Sequence, residues 1–374
     1  MSISDTATLI FCATDPGGAR NIAPVARLAA ESFHLEIVCS PQTRGIFEHA
    51  ELDAEATTLP DTNAARRFLE SRAPASIIVG TSAADRPEAL LTIAARELCI
   101  PSVAVLDEWY YYAARFADPG GTFTHLADMI CCQDELAKSE AMAEGIPADH
   151  LRITGSPALA DVYRDIQSHR TTAPPTDPTS SPQIVFISEQ IAKAFGEAPG
   201  ERGFVGPFIG YTETTVRNEL ATALPDIGTP VQVFEKLHPN ETDIATPPDH
   251  GPAMTWRILE REVGLRDAMS HADAVIGMRS IGLLEAAMMG FRPASYQPGR
   301  IGSDHCTAAR LGLADSIDSP DDLKDWLKNA IAGQRSANEE ADVPAFATPD
   351  AAANIYEVVR QMAAPSAMIE EEQS

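Results

Sequence analysis

Short apolar runs alternate with helical patterns along most of this 374-residue chain. The runs at residues 7–14, 34–40 and 76–80 have the composition of buried strands, and a helical pattern follows each one. Strands that alternate with helices assemble into parallel sheets that are covered by helices on both faces. The sequence therefore predicts an α/β protein with doubly wound parallel sheets.

The alternation stops once and then begins again. Residues 169–182 are rich in Thr, Pro and Ser, which is typical of a linker. We therefore predict a Rossmann-like N-terminal domain over 1–168 and a second Rossmann-like domain over 183–335, and we expect them to face each other across a cleft. Residues 336–374 are predicted to form a C-terminal helix and an acidic tail.

The chain is strongly acidic, with a formal net charge of -26. Phosphate backbones and acidic lipids repel such a surface, so we expect no nucleic-acid partner and no anionic membrane partner. None of the six cysteines forms a C-x-x-C pair, and no apolar run approaches the roughly 20 residues that span a bilayer. With no signal-peptide pattern evident, these features predict a cytoplasmic protein without a transmembrane segment, and a homodimer stays open.

The segment at residues 274–293 predicts a strand, a tight turn and a helix. Arg279, Ser280 and Gly282 fall at the turn, where the first backbone N–H groups of a helix favour an anion such as phosphate. Glu285 follows one helical turn later, where its carboxylate can accept hydrogen bonds from a ribose diol. An ordinary strand–helix unit of a parallel sheet is an equally good interpretation of this segment alone.

A second polar group follows a predicted strand of the same domain. Lys236 ends that strand, His238 comes next, and Glu241 lies three residues further on. Imidazole and ammonium groups at the carboxyl end of a strand can hold a diphosphate, and the imidazole can act as an acid. A loop histidine is more often simply exposed, but its pairing with the turn at 279–280 favours a nucleotide site that includes all three residues.

In the N-terminal domain, two carboxylates fall at strand ends, where open parallel sheets place their sites. Asp15 follows the first predicted strand and precedes Gly17 and Gly18, whereas Asp107 follows a strand at 102–106. Either carboxylate is a candidate catalytic base. The glycines permit close approach to an acceptor, although a plain tight turn explains them equally well.

Glu108, Trp109 and Tyr112 follow Asp107 directly. Aromatic rings beside carboxylates suit sugar binding, so these residues are candidates for contacts with the acceptor. Packing of the rings at a domain interface is the equal alternative. Arg115 is expected to pair with Asp107 or Glu108.

Several catalytic patterns are missing from the chain. It contains no D-x-D, H-E-x-x-H, G-x-x-x-x-G-K-[ST] or G-x-S-x-G sequence. We therefore expect neither a metal nor another cofactor, with the cationic residues of the second domain neutralising a departing diphosphate.

These motifs resemble the GT-B superfamily, which includes glycosyltransferases and the non-hydrolysing UDP-N-acetylglucosamine 2-epimerases. The resemblance rests on three short motifs, which are Asp15-Pro16-Gly17-Gly18, His238-Pro239-x-Glu241, and Ser280-x-Gly282-x-x-Glu285-Ala286 with Gly290 and Pro293. It implies that the C-terminal domain binds a nucleotide-sugar through Glu285, Ser280, Gly282 and His238. The acceptor, a glycan or a small molecule, would then enter from the N-terminal domain.

Two departures separate the chain from the epimerases. The epimerase Gly-Asp-Thr motif corresponds to Gly80-Thr81-Ser82, which lacks the acid, and one glycine and one glutamate are missing from the Ser280 segment. The leading hypothesis is therefore a metal-independent glycosyltransferase of surface polysaccharide or glycoconjugate synthesis. A sugar-nucleotide 2-epimerase and a non-catalytic GT-B-like binding protein are the alternatives.

Overall fold

The structure is a computed structural model that describes residues 7–81, 86–169, 181–239, 241, 247–248, 254–332 and 343–364. The chain divides into two compact units. The first contains residues 1–164 together with 342–374, and the second contains residues 165–341. Within the described residues, none of the helices combines the length and the apolar character needed to cross a bilayer.

The first unit contains a seven-stranded sheet within its described residues. Its strands are β1 (Thr8–Ala13), β2 (His34–Cys39), β3 (Glu55–Ala56), β4 (Ser76–Val79), β5 (Ser102–Val105), β6 (Met129–Cys132) and β7 (Leu151–Ile153). The helices that follow them are α1 (Pro16–Ala29), α2 (Arg44–His49), α3 (Thr62–Arg72), α4 (Pro87–Glu97), α5 (Glu135–Ala143) and α6 (Pro157–His169), of which α6 crosses into the second unit.

The second unit contains a six-stranded sheet within its described residues. Its strands are β8 (Gln183–Ile187), β9 (Val231–Lys236), β10 (Met254–Ile258), β11 (Ala274–Gly277), β12 (Ala294–Tyr296) and β13 (Asp315–Ile317). Its helices are α7 (Ile191–Phe195), α8 (Glu213–Ala223), α9 (Leu265–Met269), α10 (Gly282–Met288), α11 (Thr307–Arg310) and α12 (Pro320–Ile331).

Both sheets are doubly wound. The strand orders are β3-β2-β1-β4-β5-β6-β7 and β10-β9-β8-β11-β12-β13, and the strand pairs of both sheets are parallel. In such sheets the order reverses beside the first strand, and ligands bind outside the carboxyl ends at that point. Two reversals, β1/β4 and β8/β11, therefore mark where a site is expected. The predicted pair of Rossmann-like α/β domains is confirmed.

Continuous apolar runs explain why the central strands form, and polar caps explain where helices begin. β1 and β4 are almost entirely buried, as a central parallel strand must be when helices cover both faces. Asp15 and Asp134 cap α1 and α5 by accepting backbone N–H groups three residues on, which stabilises the first turn.

The last helix, α13 (Ala351–Ala363), belongs to the first unit. It packs against α1, and Ile355 and Val359 join the apolar core of that unit. The side-chain amide of Asn354 donates to the Thr154 carbonyl at 3.2 Å. The predicted C-terminal helix therefore completes the N-terminal core, while the acidic residues from 365 onward lie outside the described residues.

Two parts of the secondary-structure prediction differ from the structure. The sequence pattern predicts a helix over about 257–270, which is wrong at its beginning, because Arg257 lies in β10 and α9 is confined to Leu265–Met269. Helix α6 was not predicted, although Ser156 and Pro157 supply an ordinary helix start. Most of the predicted linker, residues 170–180, lies outside the described residues.

Candidate functional sites at two sheet edges

Asp15 lies at the carboxyl end of β1, in the reversal of the first sheet. Its Oδ1 accepts the backbone N–H of Gly18 at 2.9 Å, whereas its Oδ2 is buried and accepts no hydrogen bond from the described residues. Burial, followed by the charge of Asp107, raises the pKa of Asp15 to about 6. A carboxyl group with one unused oxygen and a pKa close to neutral has the properties of a general base.

Asp107, the other predicted base, forms an ion pair with Arg115. Its Oδ1 lies 2.8 Å from Nη1 of Arg115 and accepts the Thr81 hydroxyl at 3.2 Å. Arg115 also donates to the Thr81 hydroxyl at 2.7 Å, so the three side chains form one network. Arg115 thus pairs with one of its two expected partners, and the network leaves Asp15 as the stronger candidate for the base.

Gly17 and Gly18, which the sequence predicts to contact the acceptor, make room for these carboxylates. A Cβ atom on Gly17 would lie 2.3 Å from Oδ2 of Asp107, and one on Gly18 would lie 3.3 Å from the Cα of Gly80. Because Asp107 is held by Arg115, it has little freedom to move away. The glycines therefore let α1 begin directly against the end of β5 and the end of β4.

Glu88 is a third carboxylate at this edge, and the sequence analysis missed it. It is 3% exposed and accepts both the backbone N–H of Thr14, at 2.6 Å, and the Thr14 hydroxyl, at 2.8 Å. Its charge contributes to the raised pKa of Asp15. Its place directly after Pro87, at the start of a predicted helix, was the signal available in the sequence.

The aromatic residues predicted to contact an acceptor are core residues instead. Trp109 is fully buried, donates its Nε1–H to Asp134 at 2.9 Å, and packs edge-to-face with Phe346. Tyr112 is 1% exposed and donates its hydroxyl to Glu140 at 3.0 Å. Neither ring offers a face to a sugar in this structure. Glu108 is half-buried beside them.

In the second unit, the residues after β9 are tied to the end of β8. Glu241 accepts the backbone N–H of His238 at 2.6 Å and the hydroxyl of Ser188 at 3.0 Å. Burial raises the pKa of Glu241 and lowers the pKa of His238 below its ordinary value. Glu241 therefore positions His238, which is half-buried and predominantly neutral at neutral pH.

Lys236 is oriented differently from the prediction. Its ammonium group donates to the backbone carbonyls of Glu260 and Arg261, at 3.2 and 3.0 Å. These carbonyls follow β10, so Lys236 ties the end of β9 to the loop beyond the neighbouring edge strand. A role for Lys236 in stabilising that loop accounts for its contacts.

The predicted phosphate turn lies after β11, and an internal carboxylate occupies it. Glu189, which follows β8, accepts the backbone N–H of Arg279 at 2.6 Å, and the Ser280 N–H stabilises the same carboxylate. The guanidinium of Arg279 lies 5.0 Å from the ring centroid of Phe195. Nothing in the sequence pattern linked Glu189 to a turn 90 residues later.

Ser280, Gly282 and Glu285 complete this edge. The Ser280 hydroxyl accepts the N–H of Gly282 at 3.1 Å, so that N–H stabilises the turn itself. A Cβ atom on Gly282 would lie 2.7 Å from Leu265, which explains the glycine by packing against α9. Glu285 is 22% exposed, and its carboxylate lies 3.8 Å from Nε of Arg266.

The two edges differ in what they can hold. Within the part of the chain that the structure describes, there is no group of three or more His, Cys, Asp or Glu side chains with the arrangement of a metal site. The first edge offers carboxylates for a hydroxyl group. At the second edge, backbone N–H groups near an imidazole and a guanidinium already hold one anionic group, the carboxylate of Glu189.

Comparisons with known proteins identify the fold. The sequence matches no protein-family model and no curated protein. Among solved structures, the UDP-GlcNAc 2-epimerase from Neisseria meningitidis, bound to UDP-GlcNAc, is similar over 95% of this chain and 100% of its own, with 15% identity and a TM-score of 0.61. MurG of Acinetobacter baumannii is similar over 95% of this chain and 99% of its own, with 13% identity and a TM-score of 0.57.

The glycotransferase of kitacinnamycin is also similar, over 96% of this chain and 95% of its own, with 11% identity and a TM-score of 0.53. All three matches extend over both units of the chain. The chain therefore has the two-domain fold of the GT-B superfamily, as its motifs predicted. At these identities the matches define the fold and leave the reaction to be argued from the site.

Proposed function

We propose that the protein is a metal-independent glycosyltransferase that uses a nucleotide-activated sugar, in the synthesis of a surface polysaccharide or glycoconjugate. Asp15 carries the proposal, since its Oδ2 accepts no hydrogen bond from the described residues and its pKa is raised to about 6. At neutral pH this carboxyl group is largely ionised and basic enough to accept a proton from an acceptor hydroxyl.

In the proposed reaction, the acceptor oxygen forms a bond to the anomeric carbon as the bond from that carbon to the nucleotide phosphate breaks. The hydroxyl proton passes to Asp15. The departing nucleotide keeps the bonding electrons, and its charge is stabilised by the Arg279–Ser280 turn and by His238. Glu285 is proposed to accept hydrogen bonds from the ribose. Asp107 and Arg115 keep the first edge in place.

A sugar-nucleotide 2-epimerase is the second candidate. It is considered because the chain shares its fold, over 95% of its length, with the Neisseria epimerase that was solved with UDP-GlcNAc. It is disfavoured by Thr81, which occupies the region of the epimerase acid and whose hydroxyl is engaged with Asp107 and Arg115. The position of the acid in that motif is therefore held by a hydroxyl group, which donates to Asp107 at 3.2 Å.

One pair of incubations separates the candidates. The protein is incubated with UDP-GlcNAc, GDP-mannose, dTDP-glucose and a CMP-linked sugar, with and without a panel of glycan acceptors. Transfer that requires an acceptor, and that Asp15→Asn removes, supports the glycosyltransferase. Formation of the 2-epimer without an acceptor supports the epimerase. If none of the nucleotides binds in calorimetry, both proposals are wrong and a non-catalytic role remains.

A further inference from the structure

Glu189 holds the position of an anion at the turn after β11. Its carboxylate accepts the backbone N–H of Arg279 at 2.6 Å and is stabilised by the N–H of Ser280. These N–H groups are the ones that the sequence assigned to a phosphate. Carboxylate and phosphate oxygens are both anionic acceptors, so they compete for the same donors.

We propose that Glu189 is a gating residue of the nucleotide site. Its carboxylate occupies the N–H groups of Arg279 and Ser280, and it releases them when the phosphate of a sugar nucleotide binds. This inference rests on the proposed function, because it assigns the ligand of that same site. It adds a residue that selects when the site is open and how much negative charge the site accepts.

The groups around Glu189 do not offset its negative charge. The charge of Arg279 lowers the pKa of Glu189, whereas the charge of Glu213, a second carboxylate, raises it. Glu213 accepts the N–H of Ala192 at 2.9 Å. Tyr211 and Cys306 also face it, and burial raises the pKa of both, that of Cys306 to about 11. Both therefore stay neutral near pH 7, and a phosphate entering beside an ionised Glu189 meets an excess of negative charge.

Protonation relieves that conflict. Burial raises the pKa of the Glu189 carboxyl to about 7, so this group is partly protonated at neutral pH. An incoming phosphate favours the neutral form further, so binding takes up a proton. Affinity then falls as pH rises above about 7, by as much as about tenfold per pH unit. His238, whose pKa is lowered by burial, and Glu241, whose pKa is raised from 4.5, are the other groups near the site with shifted pKa values.

The test is calorimetry with UDP-GlcNAc, GDP-mannose and a CMP-linked sugar at several pH values between 6 and 8.5. Sugar nucleotides are used because their phosphates are diesters, which do not titrate in this pH range. Buffers with different ionisation enthalpies report the protons taken up on binding. Wild type is compared with Glu189→Gln, and with Glu197→Gln as a control, since Glu197 is an exposed carboxylate just beyond α7, the short helix that follows Glu189.

For the wild type and for Glu197→Gln, we expect uptake of close to one proton above pH 7 and an affinity that falls steadily as pH rises. For Glu189→Gln we expect no proton uptake from this group and tighter binding than wild type at pH 8. Wild-type binding without proton uptake overturns the gate even if the variant fails to fold. Absence of binding by every protein at every pH overturns the proposed function as well, so the two failures are distinguishable.

Discussion

The two sheet edges share one topology and carry opposite chemistry. At the edge of the first sheet, Asp15, Glu88 and Asp107 gather around one cation, Arg115. At the edge of the second, backbone N–H groups of a turn hold the carboxylate of Glu189. The strand order fixes where a site forms, and the loop residues decide which charge it holds.

This difference assigns a task to each edge under the proposed function. Burial, followed by the charge of Asp107, raises the pKa of Asp15, which makes Asp15 a proton acceptor near neutral pH. Backbone N–H groups keep their polarity at any pH, which suits them to a leaving group that gains negative charge. Each of the following predictions perturbs one edge and leaves the other as a reference.

The largest effect is expected for Asp15→Asn. The amide keeps an oxygen that can cap Gly18 but has no basic site, so kcat should fall by about 10²- to 10⁴-fold while the affinity for the sugar nucleotide is unchanged. Initial rates and calorimetry measure the two quantities. Asp61→Asn is the matched control, because Asp61 caps α3 in the same way on the exposed surface. Activity of Asp15→Asn within a few fold of wild type would eliminate Asp15 as the base.

At the second edge, Glu285→Ala should weaken nucleotide binding by about 10- to 100-fold. A charged hydrogen bond contributes about 1.5–3 kcal/mol, and the ribose would lose its acceptor. Calorimetric titration measures the change, with Glu262→Ala as a control at an exposed position of the same unit. Equal affinities for the two variants would show that Glu285 does not contact the ligand.

Gly17→Ala should destabilise the first unit by about 1–3 kcal/mol, because its Cβ atom would lie 2.3 Å from an Asp107 oxygen that Arg115 holds in place. Gly45→Ala is the control. Gly45 is also the second residue of a helix, and nothing lies within 4 Å of its added Cβ atom. That substitution should be neutral or slightly stabilising. Chemical denaturation compares the two, and similar unfolding free energies would mean that the first edge adapts easily.

The smallest effect concerns pH and stability. The pKa of Asp15 is raised from 3.8 to about 6 in the folded state, so the folded protein binds this proton more tightly than the unfolded chain. Stability from this group is therefore present below pH 3.8 and is lost as pH rises to about 6. Asp15→Asn should be more stable than wild type by about 1 kcal/mol at pH 8, with the difference vanishing towards pH 4. A pH-independent difference in denaturation would contradict the assignment.

Much of the fold was predictable because local patterns determine it. Central strands such as β1 and β4 are continuous apolar runs, and Asp134 is an unambiguous helix cap. β10 was missed because it is an edge strand, in which buried Met254 and Trp256 alternate with exposed residues over only five positions. Five residues are too few to distinguish that alternation from part of a helical pattern.

The site was less predictable because its decisive contacts join distant parts of the chain. Asp15, His238 and Arg279 follow strands, so position alone identified them as candidates. Trp109 is a residue type that is common in sugar-binding sites. Its N–H instead donates to Asp134, 25 residues later, in the core. Glu189 meets its turn across 90 residues, and no local pattern encodes that contact.

Hydrogen exchange with and without a sugar nucleotide tests most directly whether the second edge, and not the first, takes the nucleotide. We predict that the ligand slows exchange in peptides covering residues 236–239 and 277–289, and leaves peptides covering residues 13–18 and 104–109 unchanged. Protection confined to the first edge, in a protein that demonstrably binds the nucleotide, would contradict the division of tasks between the two sheets.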